Sequence, residues 1–98
     1  MNGITKIEIQ HDEAARKYYT VVDGQESVCE YGEAGEKTLN FWHTYVPPAL
    51  RGRGIAEQLV HQALEDARDR GYKVLPSCWY VRLYIDRHPQ LKDVLAGR

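Results

Sequence analysis

The chain has 98 residues, 43% of them hydrophobic and 28% charged, with a formal net charge of −1. That size supports one domain around one modest core, and the composition is that of a globular fold rather than a disordered segment. A near-neutral balance argues against nucleic acid as the main partner, and no stretch approaches the roughly 20 apolar residues of a membrane span.

Residues 1–13 carry no apolar run of the signal-peptide kind, so a cytoplasmic protein is expected. Residues 4–10 read as a first strand, with Ile7 and Ile9 on one face. Residues 17–22 are β-branched and aromatic, and Asp23-Gly24 turns the chain into residues 25–33, a hairpin signal. Cys29 on that third strand and Cys78 much later fit no zinc spacing. Without an export signal the pair is expected reduced.

A turn over residues 32–36 leads to a fourth strand over residues 38–46. Pro47 and Pro48 stop it, because proline cannot donate to a ladder. Strict alternation would place Leu39, Phe41, His43 and Tyr45 on one face, and Asn40, Trp42, Thr44 and Val46 on the other. Ala56, Leu59, Val60, Ala63, Leu64 and Ala67 then recur at helical spacing, and Gly71 ends the helix. Residues 72–76 form a short buried strand. A helical crossover to it implies a right-handed βαβ unit, with the fourth and fifth strands parallel. Residues 77–87 read as a second helix closed by His88-Pro89, followed by a short helical or irregular end. The expected fold class is α/β (α+β). A four-stranded antiparallel meander gains a parallel fifth strand and two to three helices, in a single domain over residues 1–98.

Between the fourth strand and the long helix lies Arg51-Gly52-Arg53-Gly54-Ile55-Ala56. The first N–H groups of a helix lack internal partners, and its dipole places partial positive charge there. Glycine permits close backbone approach, and arginine adds forked donors. Together they describe a seat for a pyrophosphate. An ordinary strand-to-helix turn would account for the glycines equally well. The loop has no Gly-Lys-Ser/Thr ending and no Gly-x-Gly-x-x-Gly with a distal acid, which excludes the P-loop and the dinucleotide fingerprint.

The same loop resembles the acyl-CoA signature Arg/Gln-x-x-Gly-x-Gly/Ala of the GNAT-type N-acetyltransferases, through Arg51, Gly54 and Ala56. Pro76-Ser77-Cys78 and His88-Pro89 extend the likeness, over nearly the whole chain, to the smallest GNAT-like proteins. The resemblance implies an N-acetyltransferase that takes acetyl-CoA and an amine acceptor. The pyrophosphate would lie against the amides of Arg51, Gly52, Arg53, Gly54, Ile55 and Ala56. The pantetheine arm would run between splayed fourth and fifth strands, pairing with backbone near Tyr45 and Val46. Full-length members carry helices between their first two strands that cover the acceptor. Residues 11–19 leave no room for them, so the acceptor side should be open or small.

A histidine titrates near neutrality, and His43 lies at the thioester end of the fourth strand, which makes it the base candidate. Cys78 precedes a helix, where a thiol ionises more readily, and it would carry a transient acetyl group if His43 reached it. The resemblance also implies a tyrosine on the second helix, Tyr84 or Tyr80, that protonates the departing CoA thiolate. Each has a plainer reading: His43 as a half-buried member of an aromatic cluster, Cys78 as a small hydrophobe, the tyrosines as packing. His11 and His61 are expected to face solvent. Two rival functions stand beside acyl transfer, a CoA-binding module or sensor without turnover and an interaction domain that binds no CoA. The expected assembly is a monomer or weak dimer without a metal.

Overall fold

The structure, a computed structural model, describes residues 4–97. Its strands are β1 (Gln10–Asp12), β2 (Lys17–Val22), β3 (Gln25–Glu33), β4 (Thr38–Tyr45) and β5 (Lys73–Pro76). They form one sheet in chain order, antiparallel throughout except for the parallel pair β4–β5. Two α-helices, α1 (Ile55–Asp69) and α2 (Trp79–Arg87), are joined by 3-10 turns at Pro48–Leu50 and Pro89–Val94. The mixed sheet, its meander and its parallel fifth strand agree with the expectation. At the β2–β3 hairpin, Asp23 and Gly24 both have positive φ, 52° and 74°, as a two-residue turn matched to strand twist requires.

The first strand differs from its expected position. Pairing begins only at Gln10, and residues 4–9 leave the sheet to cross the start of α1. Their backbone groups find other partners there. Thr5 N donates to Arg53 O at 2.9 Å, Gln58 Nε2 donates to Thr5 O at 2.6 Å, and Ile7 N donates to Gln58 Oε1 at 3.4 Å. Thr20 Oγ1 holds Glu8 O at 2.8 Å. Backbone polar groups need partners, and a glutamine offering both donor and acceptor substitutes for a neighbouring strand.

The alternation of β4 is also broken. Tyr31 pairs with Phe41 and Glu30 pairs with His43, so Trp42 is one residue too many. This bulge reverses the phase of every later side chain. Leu39 and Phe41 face the helices, and Thr44 and Val46 join them. Trp42, His43 and Tyr45 turn to the opposite face.

The inner face is covered by α1. Ile55, Leu59, Val60, Ala63, Leu64 and Ala67 are buried on the helix, against Tyr18, Cys29, Tyr31 and Phe41 of the sheet. Helix α2 adds Val81, Tyr84 and Ile85 to the same core, and the last 3-10 turn adds Leu91 and Val94. Beyond it Ala96 N donates to Val74 O at 2.9 Å, so the chain end lies along β5. On the outer face Val21, Trp42, Tyr45 and Leu75 are exposed, and no helix among the described residues covers them.

His11 does not face solvent. Its ring stacks on Tyr18 at 4.0 Å, and its Nε2 lies 2.7 Å from the Tyr31 hydroxyl. Tyr18 donates to Asp66 of α1, which also pairs with Arg70. The cluster ties β1–β3 to the C-terminal half of α1. Burial lowers the His11 imidazole below its ordinary 6.5, against the opposing pull of Asp66 and Glu13. The folded state therefore takes up this proton less readily than the unfolded chain. Stability rises with pH from the lowered folded value to 6.5 and is lost as pH falls back through that interval. Urea unfolding measured from about pH 8 to about pH 5 should show this loss in the wild type and a shallower slope in His11→Gln.

Candidate functional site

Strands β4 and β5 part early. Thr38 pairs with Lys73 and Phe41 with Pro76, and the last bond runs from Cys78 N to Phe41 O at 2.9 Å. Pro76 and Ser77 then lead into α2, while β4 continues to Tyr45 paired with β3 alone. The parting leaves a cavity of about 310 Å³ between Thr44, Tyr45 and Val46 on one side and Cys78, Trp79 and Tyr80 on the other. A second cavity of about 360 Å³ lies against Arg51, Gly52, Gly54 and Glu57 at the start of α1. Val46, Arg51, Ala56 and Tyr80 border both, so they form one cleft.

The loop at its mouth is shaped by two glycines. Gly52 and Gly54 have φ of 82° and 77°, in the left-handed region that disfavours side chains. Gly54 is the N-cap of α1 and supplies no side-chain cap, so the first amides of the helix lack a capping acceptor from it. A Cβ at Gly54 would approach Ile4 Cγ2 to 3.0 Å, whereas one at Gly52 would meet nothing within 4 Å. Glycine at 54 thus admits the N-terminal segment, and at 52 it leaves open space.

The two arginines separate. Arg51 borders both cavities, donates through Nε to Val46 O at 2.8 Å, and lies 5.7 Å from the centre of the Tyr45 ring. Arg53 turns away from the cleft. Its Nε donates to Thr5 Oγ1 at 2.9 Å and its Nη1 to Asp23 Oδ2 at 3.3 Å. Its side chain therefore holds the N-terminal segment to the β2–β3 turn, which corrects the expectation of two arginines over one phosphate seat. The Ile55 side chain is in the core, leaving only its backbone for a ligand. Glu57, in the first turn of α1, brings a carboxylate to the cleft that the sequence did not single out.

The tyrosines separate as well. Tyr80 faces the cleft, and burial, reinforced by the charge of Glu57, pushes its phenol up to about 12. Tyr84 is buried between helices. Its hydroxyl lies 2.8 Å from His61 Nδ1 and its ring stacks on His88 at 3.9 Å. Burial raises its pKa too, with Glu57 and Glu65 adding to the effect. His61 continues to Glu65, Nε2 to Oε2 at 3.1 Å, so it is engaged rather than free in solvent.

His43 and Cys78 are not brought into contact. The bulge puts His43 on the outer face in a row of rings, 5.2 Å from Trp42 and 6.4 Å from Tyr45. Cys78, the extended N-cap residue of α2, has its sulfur 3.6 Å from Thr44 Oγ1. Sequence reasoning missed Thr44, because uninterrupted alternation assigned it to the face away from Phe41. Nothing in the local composition marks the extra residue.

Comparison with known proteins bears on this cleft. A family profile described as GCN5-related N-acetyl-transferase matches residues 17–94. The protein NATD1 of Xenopus tropicalis is 33% identical over 91 residues, which is 91% of this chain and 84% of that protein. NATD1 of Homo sapiens is 33% identical over 85 residues, 85% of this chain and 75% of that one. Among solved structures, the NMR structure of a GCN5-like protein from Staphylococcus aureus superposes with a TM-score of 0.73. It is 25% identical and covers 97% of this chain and 93% of its own.

The conformations of the glycines make a stability test. Gly54→Ala combines positive φ with a tight approach to Ile4 and should cost about 1–3 kcal/mol in urea unfolding. Gly32→Ala, where a Cβ meets nothing within 4 Å and φ is not positive, should change stability by less than about 1 kcal/mol.

Proposed function

The chain belongs to the GCN5-related N-acetyltransferase family, and on that premise we propose that it moves an acetyl group from acetyl-CoA to an amine. The observation that carries this reading is the parting of β4 from β5 after Phe41, which opens directly onto the glycine loop of α1. Backbone that has lost its neighbour on one side is suited to pair with the amides of a pantetheine arm. The amides of Gly52, Gly54, Ile55 and Ala56 and the guanidinium of Arg51 suit the pyrophosphate. Open space at Gly52 and the uncapped start of α1 support that fit.

In this reading the amine nitrogen attacks the thioester carbonyl and a tetrahedral oxyanion forms, stabilised by backbone N–H groups of residues 44–46. His43 lies on the uncovered face, and we assign it the proton that the amine loses. Collapse breaks the carbon–sulfur bond. Tyr80, held protonated at neutral pH, gives its proton to the CoA sulfur. Tyr84, engaged with His61, serves the packing of α2 on α1. Cys78 borders the same cleft and is the site where a two-step route would park the acetyl group. His43 has no contact with it, so His43 serves the acceptor rather than the thiol.

Arg51 and Glu57 place opposite charges at the phosphate side, which gives paired predictions of opposite sign. In calorimetric titrations with acetyl-CoA, Arg51→Ala should raise Kd by about tenfold and Glu57→Gln should lower it. An unchanged Kd in a folded Arg51→Ala protein rejects this seat. Should transfer run in two steps through Cys78, intact-mass spectra after incubation with acetyl-CoA will show an acetyl adduct that Cys78→Ala abolishes. A wild type that stays unlabelled while an amine is acetylated assigns the enzyme to direct transfer. Binding of CoA without thiol release toward any amine would make the protein a sensor instead.

A further inference from the structure

We infer that Thr44 and Cys29 form a hydrogen-bonded chain behind Cys78 that orients its sulfur and stabilises its thiolate. The purpose of this chain rests on the acyl-transfer reading, but its physical claim concerns only the ionisation of Cys78. The bulge in β4 turns Thr44 inward, and register sets it opposite Cys29 of β3. Thr44 Oγ1 then lies 3.9 Å from Cys29 Sγ and 3.6 Å from Cys78 Sγ, both within sulfur hydrogen-bond reach.

A hydroxyl carries one hydrogen and two lone pairs, so it can accept from one sulfur while it donates to the other. While Cys78 is a thiol, its S–H donates to Oγ1 and the Thr44 O–H donates to Cys29. When Cys78 loses its proton to water in the cleft, its sulfur only accepts. The Thr44 O–H then turns to Cys78, and the S–H of Cys29 donates to Oγ1. The two ends of the chain are unequal. Cys29 is fully buried, and burial pushes its thiol up to about 12, so it stays a donor across the neutral range. Cys78 is only half-buried and borders the cleft, so its sulfur is reachable.

Other polar residues border the same cavity: Tyr45 of β4, Arg51 of the loop and Tyr80 of α2, with Glu57 of α1 beside Tyr80. All remain in place when Thr44 is changed, so a difference between variants reads the chain. Thr44 is on this account a positioning residue, and Cys29 is the second member of the chain.

The test is the rate at which iodoacetamide alkylates Cys78 as a function of pH, with the site assigned by peptide mass. Thr44→Val removes the hydroxyl and should move the midpoint up by about one pH unit, slowing the reaction about tenfold at neutral pH. Thr44→Ser should keep the wild-type profile. Cys29→Ala should shift the midpoint the same way by less. A midpoint in Thr44→Val equal to or below the wild type overturns the proposal. If Thr44→Val does not fold, Cys29→Ala and Thr44→Ala decide by the same criterion. Alkylation needs no acetyl-CoA, so absence of acetyl transfer leaves this result standing. An unmoved midpoint in a protein that does acetylate Cys78 rejects the chain alone.

Discussion

One extra residue in β4 organises the whole cleft. Trp42 has no partner on β3, and from that point the strand runs in reversed phase. Phe41 seals the core, and the last bond to the β5 side is made by its carbonyl. The bulge follows at once, where added twist and an interrupted ladder end pairing most readily. Pro76 closes β5 at the same level, and the chain enters α2. The two strands therefore separate where their side chains change faces. Thr44, Tyr45 and Val46 border the gap, and the rings of Trp42 and His43 stand outside it.

The loop of α1 is held to this gap by contacts unrelated to any ligand. Ile4 packs on Gly54, Gln58 binds the backbone of Thr5, and Arg53 reaches to Thr5 and Asp23. The N-terminal segment thus fastens the first turn of the helix from the side opposite the cleft. A loop so held presents its amides in a set direction before any anion arrives, which is what preorganised binding requires. Arg51 is fastened in turn to Val46 O, linking the glycine loop to the end of β4.

Charge is balanced across the cleft. Arg51 offers a cation near the glycines, while Glu57 sets a carboxylate in the first turn of the helix. Burial raises the Tyr80 phenol, and this carboxylate adds to the rise. The two charges lie on neighbouring parts of one cleft. The separation of Tyr80 from Tyr84 shows why spacing alone misleads. They lie four residues apart on one helix, yet Tyr80 borders the cleft and the Tyr84 hydroxyl meets His61.

The hairpin at Asp23-Gly24, the stop at Pro47-Pro48, the apolar stripe of α1 and the glycine loop could all be read from the chain. Each is a local property: a φ preference, a missing donor, a period. The meander and the parallel fifth strand followed from connection lengths alone. Three matters belonged to the tertiary structure. Residues 4–9 left the sheet because Gln58, more than forty positions later, supplied the hydrogen bonds a strand would have offered. His43 and Thr44 exchanged faces because a bulge depends on the register of β3 with β4, which composition does not encode. Arg53 departed from Arg51, and Tyr84 from Tyr80, because each found a partner distant in sequence. Periodicity determines which residues can share a face, but only packing decides where that period is interrupted and which long side chain meets which partner.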